Sequence, residues 1–187
     1  NLTISANATH AGYNADKKNK DAIEFYLHNA NGHMGLKRIK NVIEKQLKGV
    51  ARRAMVFADT TWAGSGAFGA ALITNVYRNW ENLRTTISQA MGLSMYGFSN
   101  IVTDVCGTTG PLDEELCGRW MQLAAFLPMA RNYYSGHYFN EKGDYVPSEP
   151  SEFYKFKNFE YKFMASAAIK QRSAFSRYIY SQMYKVY

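Results

Sequence analysis

Three short apolar runs in this chain each lead into polar residues that could do chemistry. Ala54-Met55-Val56-Phe57-Ala58 ends at Asp59, the run near Asn100 to Thr103 ends at Asp104, and Leu127 to Ala130 ends at Arg131-Asn132-Tyr133. A carboxylate at the end of a buried strand can accept hydrogen bonds, or move a proton when its pKa suits the task. Other chemistries lack their residues. His10, His28, His33 and His137 show no spacing that would gather them with Cys106 and Cys117 on one element, so no metal site is expected. No serine sits in a Gly-x-Ser-x-Gly elbow. Gly64-Ser65-Gly66 is a turn, and it lacks the further glycines and the strand-to-helix setting of a phosphate loop. No cofactor is implied.

The elements that must position these groups alternate. A helix is expected from Met34 to Lys48, with Leu36, Ile39, Val42, Ile43 and Leu47 on one stripe and Gly49 at its end. After the strand ending at Asp59, the turn at Gly64 leads into a small-residue loop. Glu81 to Met95 reads as helix, and a second helix runs from Asp113 to Phe126, entered through Pro111 with acids in its first turn. Asn140 to Pro150 reads as a polar loop, and Phe153 to Tyr187 as an aromatic-rich helix broken once. Strand, loop and helix in this order are the βα rhythm of a (β/α)8 TIM-type barrel, whose functional groups sit at strand C-termini. About three such units fit here, whereas a complete barrel takes about 250 residues. Three parallel strands cannot close and would leave unpaired edges. The expectation is a piece of a larger protein: an arm or loop region over 1–27, then a partial barrel over 28–187. The missing strands would come from the rest of the protein, a cleaved segment or another subunit.

Composition sets further bounds. With 47% apolar residues and 15% aromatics the chain is globular rather than disordered. The net charge of +7 would permit attraction to polyanions. Its basic residues are scattered, however, and Lys17-Lys18 with Lys20, or Arg52-Arg53, lack the context of a nucleic-acid reader, so they read as solvated surface. No apolar run approaches the roughly 20 residues of a membrane span. The chain does not begin with Met, so a leader or upstream segment is expected to have been removed. Asn1-Leu2-Thr3 and Asn7-Ala8-Thr9 are both N-glycosylation acceptors; with the cysteine pair they favour a secreted, extracellular or endomembrane protein.

Residues 59 to 80 read Asp-Thr-Thr-Trp-Ala-Gly-Ser-Gly-Ala-Phe-Gly-Ala-Ala-Leu-Ile-Thr-Asn-Val-Tyr-Arg-Asn-Trp. Without a gap, this resembles the acid/base loop of glycoside hydrolase family 31, Arg-Ser-Thr-Phe-Ala-Gly-Ser-Gly-Arg-Tyr-Ala-Gly-His-Trp-Leu-Gly-Asp-Asn-Thr-Ala-Thr-Trp. Further segments follow in the family's order. His28 to Gly32 resembles the His-Asn-Leu-Tyr-Gly helix entry, Thr103 to Gly107 the Ala-Asp-Ile-Cys-Gly strand end, and Glu114 to Leu123 is close to the family string itself. Arg131-Asn132-Tyr133 takes the place of Arg-Asn-His, and Arg172, Tyr178 and Tyr180 match a C-terminal helix.

The resemblance implies the chemistry of α-glucosidic bond hydrolysis and, at the same time, its loss. Retaining glycosidases use two carboxyl groups about 5 to 5.5 Å apart, a nucleophile and an acid/base. The family's nucleophile lies in an upstream Trp-x-Asp-Met-Asn-Glu segment that these 187 residues do not contain. The acid/base Asp falls on Asn75, and an amide has no proton to give at physiological pH. The family Arg becomes Asp59, a reversal of charge; the His becomes Tyr133; and Arg, His and Trp become Ala67, Ala71 and Leu72. Asp59, sixteen residues before Asn75 in the same strand-to-helix loop, could replace the lost acid, but it stands where the family places a cation. Asp104 matches the Asp that holds sugar hydroxyls, and can equally be explained by accepting backbone or Arg hydrogen bonds. Trp62, in place of the family Phe, reads as a stacking platform or as core packing; the same choice holds for most of the 14 tyrosines.

Cys106 and Cys117 match positions that secretory members often bridge, which implies a disulfide; two buried free thiols in a cytosolic chain are the alternative. The leading expectation is a catalytically degenerate homologue, kept as a structural or glycan-binding component of an extracytoplasmic assembly and partnered by the rest of the barrel or other subunits. The others are an active α-glucosidase whose nucleophile lies outside this chain, and an assembly protein with no sugar contact.

Overall fold

A computed structural model describes residues 4–10, 22–49, 54–134 and 136–186. Asn1, the lysines at 17, 18 and 20, and Arg52-Arg53 lie outside the described residues. The chain opens with strand β1 (Thr9–His10), paired antiparallel to β2 (Ala22–Ile23), where the sequence had suggested only a terminal arm. Helix α1 (Glu24–Leu27) and one 3-10 turn (His28–Ala30) lead into α2 (Asn31–Gln46). At this entry the carboxylate of Glu24, 2% exposed, shares a 2.6 Å hydrogen bond with His28 Nδ1 and accepts another from Asn31 Nδ2 at 3.0 Å.

The centre of the molecule is a sheet of four parallel strands in the order β3 (Phe57–Ala58), β4 (Ala70–Ile73), β5 (Ile101–Val105), β6 (Met129–Asn132). Neighbours in the sheet are neighbours in the chain, as in a barrel wall, and helices α3 (Trp80–Met95) and α4 (Glu114–Ala124) make the crossovers into β5 and β6. Both crossover helices begin on a side-chain cap. Asn79 Oδ1 accepts from Asn82 N at 2.7 Å, Asp113 Oδ1 accepts from Leu116 N at 3.1 Å, and acids occupy each first turn. Beyond β6 comes a hairpin of β7 (His137–Phe139) and β8 (Tyr145–Pro147), then a 3-10 turn (Phe153–Lys155) and the long helix α5 (Phe159–Val186). The architecture is α/β, a partial barrel whose sheet, among the described residues, ends at β3 and β6.

Three further features depart from the sequence reading. The small-residue loop after Gly66 contains β4: Ala70 and Ala71 have weak strand propensity, and pairing on both sides with β3 and β5 supplies what the residues lack. Asp59 and Asn75 therefore close two adjacent strands rather than sharing one strand-to-helix loop. Strands β5 and β6 also run two residues further than expected, so Asp104 and Arg131 lie inside them, directly opposite each other in register. The polar stretch expected as a loop over 140–150 is the tip and second strand of the hairpin.

Two apolar clusters hold the layers together. One joins Leu116, Cys117, Trp120, Met121 and Ala124 of α4 to Ala165 and Ala168 of α5, with Val105 and Cys106 beneath; the other joins Ala71, Ile73 and Ile101 of the sheet to Ala90, Phe98 and Leu127. Helix α5 is docked at two further points. The Glu114 carboxylate accepts from the backbone N–H groups of Lys157 and Asn158 at 2.7 and 2.8 Å, just before α5 begins. The Arg172 guanidinium donates to the carbonyls of Ala124, at the end of α4, and of Leu127 and Pro128 just beyond it.

Candidate functional site

The C-terminal ends of β3 and β4 open onto a cleft of about 910 Å³, bounded by Asp59, Thr60, Thr74 and Asn75 and, across it, by Thr85 and Gln89 of α3. Asn75 is exposed and has a φ of +58°, a left-handed turn that asparagine tolerates better than most side chains. Asp59 is also exposed and accepts a hydrogen bond from Thr60 Oγ1 at 3.3 Å. The cleft thus brings together Asp59 and Asn75, a carboxylate and a carboxamide from adjacent strands.

The loop bearing Asn75 is held rigidly by the next one. Thr108 N donates to Val76 O at 2.6 Å, Val76 N to Thr108 Oγ1 at 3.3 Å, and Arg78 N to Thr109 O at 2.8 Å. Gly107, with φ +72°, permits this approach, since a Cβ there would lie 2.9 Å from Val76 O. Arg78 is 4% exposed and donates to Gly110 O at 3.0 Å and Glu149 O at 2.8 Å, which ties in the segment after β8. Burial pushes its guanidinium below the usual range, against an upward pull from Glu149. Cys106 and Cys117 are joined in a disulfide with Cα atoms 4.5 Å apart, both fully buried, at the base of the same loop.

Asp104 is 1% exposed and does not line the cleft. Its Oδ1 accepts from Arg131 Nε. Its Oδ2 accepts from Thr74 Oγ1, from Thr108 Oγ1 at 3.3 Å and from Arg131 Nη2 at 3.2 Å. Arg131 Nη2 also donates to Thr74 Oγ1 at 3.3 Å, and the guanidinium lies 4.8 Å from the centre of the Tyr133 ring. The hydrogen bond to Asp104 raises the Arg131 guanidinium above its ordinary value, so it stays charged at any working pH. Asp104 and Tyr133 are thus assembled around Arg131, apart from Asp59 and Asn75.

Trp62 belongs to neither group. It is 53% exposed and borders a separate hollow of about 290 Å³ with Leu93, Tyr96 and Phe98. Its turn is built on Ser65, fully buried, whose Oγ accepts from Trp62 N at 2.9 Å and lies 2.9 Å from His33 Nδ1. Gly66 is required here because a Cβ would meet Gly97 O at 2.1 Å. Asn7 and Thr9 of the second glycosylation triplet are both exposed. Among the described residues no group of three or more His, Cys, Asp or Glu side chains is placed to hold a metal ion.

Sequence reasoning did not single out Thr74, Thr108 or Arg78. The signal for Thr74 was its position, one residue before Asn75. That for Thr108 was its spacing, four residues after Asp104 in Gly107-Thr108-Thr109-Gly110.

Residues 3–182 match the profile of the glycosyl hydrolases family 31 TIM-barrel domain. The chain is 36% identical over 151 residues to an α-glucosidase of Aspergillus niger, covering 79% of this chain and 13% of that protein. It is 34% identical over 131 residues to an α-glucosidase of Aspergillus oryzae, covering 70% and 12%. Among solved structures it resembles an endoplasmic-reticulum glucosidase II heterodimer of catalytic subunit and regulatory binding domain. The TM-score is 0.67 at 22% identity, over 80% of this chain and 15% of that one. The chain therefore spans a small fraction of the length of the proteins it matches.

Proposed function

The chain belongs to glycosyl hydrolase family 31, and from that premise we propose that it is a catalytically degenerate barrel domain, retained as a structural or glycan-binding component of a larger protein. The observation that carries this reading is Asn75. It lines the open cleft beyond the end of β4, and the resemblance of residues 59 to 80 to the family's acid/base loop sets it against the acid/base Asp. A carboxamide can hydrogen-bond a sugar hydroxyl but cannot protonate a departing glycosidic oxygen, and general acid catalysis is worth about 10²- to 10⁴-fold. The exposed Asp59, the hydroxyls of Thr60 and Thr85 and the amide of Gln89 give the cleft the polar lining that a polyol uses; the exposed rings of Trp62 and Tyr133 lie outside that lining.

The open edges of the sheet support a partner in the rest of the same barrel or another subunit, with an arm over 1–27 and the barrel part over 28–187. Exposed Phe159, Phe163, Tyr178 and Tyr180 on α5 are the kind of surface such a partner would cover. The buried Cys106–Cys117 disulfide and the exposed Asn7 triplet support a secreted or endomembrane setting with glycosylation at Asn7. No helix among the described residues is long and apolar enough to cross a membrane.

A second reading, an active α-glucosidase with its nucleophile in a segment outside this chain, is favoured by one observation: Asp59 lines the same cleft as Asn75. Incubation of the intact protein with maltose separates the two. The proposed reading expects no glucose release from the parent. Release that survives Asn75→Ala and is lost in Asp59→Ala would establish Asp59 as a displaced acid.

A further inference from the structure

Thr74 touches both of the polar groups described above. It lines the cleft beside Asn75, and its hydroxyl reaches behind the cleft wall to Asp104 and Arg131. That hydroxyl does what a bound sugar hydroxyl would do there: it donates to a carboxylate and accepts from a guanidinium. With Thr74 in place, Asp104 has its oxygens engaged by Arg131, Thr74 and Thr108, is 1% exposed, and borders no part of the cleft.

We propose that Thr74 is a specificity-determining residue: its hydroxyl takes the place on Asp104 and Arg131 that a ligand hydroxyl could take, and its side chain walls the Asp104 carboxylate off from the cleft. The cleft then meets a carbohydrate through Asp59, Asn75 and the α3 polar groups, without the charged pair that would grip a hydroxyl most strongly. Removing the side chain leaves a buried carboxylate one donor short and opens it to the cleft, so a pyranose hydroxyl becomes the group best suited to replace the one lost. The inference rests on reading the cleft as a carbohydrate site.

Maltose binding to the intact protein, measured by titration calorimetry, tests it with Thr74→Gly and Thr74→Ala. Both are expected to bind maltose about ten-fold tighter than the parent, the scale of one hydrogen bond to a charged group. Thr74→Ser, which keeps the hydroxyl, is expected to match the parent. Adding Asp104→Asn or Arg131→Lys to the glycine variant should abolish the gain. Equal affinity of the parent and both truncated variants, or a gain that survives the second substitution, overturns the proposal. So does loss of folding in both truncated forms, because Thr74 would then be a stability residue alone. Hydrolysis of maltose by the parent would sink the reading of the domain as inactive, while the comparison of affinities would stand.

Discussion

At the β5–β6 end of the sheet, Asp104 and Arg131 sit opposite each other, a threonine from each adjoining loop completes the carboxylate, and a disulfide and two helices close over the region. At the β3–β4 end, Asp59 and Asn75 stand exposed at the rim of an open cleft, just beyond strands of two and four residues. The difference teaches how to divide polar residues in this chain. Groups whose hydrogen-bonding capacity is used up inside the protein hold the fold, and groups left in solvent are available to a ligand.

This division is open to attack by substitution, with the largest effects expected in the closed half. Trp120 is fully buried between α4 and α5, and Trp120→Ala is expected to cost about 3–5 kcal/mol of stability, read from chemical denaturation followed by circular dichroism. A cost below about 1 kcal/mol would mean that the α4–α5 packing does not carry the fold. Replacing Cys106 and Cys117 together with alanine is expected to remove about 3 kcal/mol, the chain-entropy value for a loop of this size.

The comparison sharpens further when one carboxylate is exchanged at each end. Asp104→Asn leaves Arg131 facing a neutral partner. Because the Arg131 side chain is 41% exposed, the expected loss is about 2 kcal/mol, below the roughly 3–5 kcal/mol of a fully buried broken pair. Asp59→Asn, in solvent, is expected to change stability by less than about 0.5 kcal/mol. Equal losses at the two positions would erase the distinction between the ends of the sheet.

How much of this was legible in the sequence depends on whether the information was local. The α/β alternation, the helix over 81–95 and the helix entered through Pro111 were visible because apolar spacing and capping residues are written in consecutive positions. Strand β4 was hidden because Gly69, Ala70 and Ala71 carry no strand signal of their own; their pairing partners are more than ten residues away in each direction. That omission put Asp59 and Asn75 in one loop. The partnership of Asp104 with Arg131 depends on register between strands 27 residues apart, and Thr74 reaches the same carboxylate across 30. An aligned motif string marks which residue falls at position 75, but it does not reveal which hydroxyl occupies a carboxylate once the sheet has assembled.

The backbone bonds from Thr108 to Val76 and from Arg78 to Thr109 carry a mechanical consequence. They fasten the rim of the cleft to a segment that begins at Cys106, itself clamped to α4 by its sulfur bridge. Removing that bridge with the Cys106→Ala and Cys117→Ala pair would loosen the anchor one peptide away from Asn75, so the cleft rim depends on a covalent link that lies wholly inside the protein.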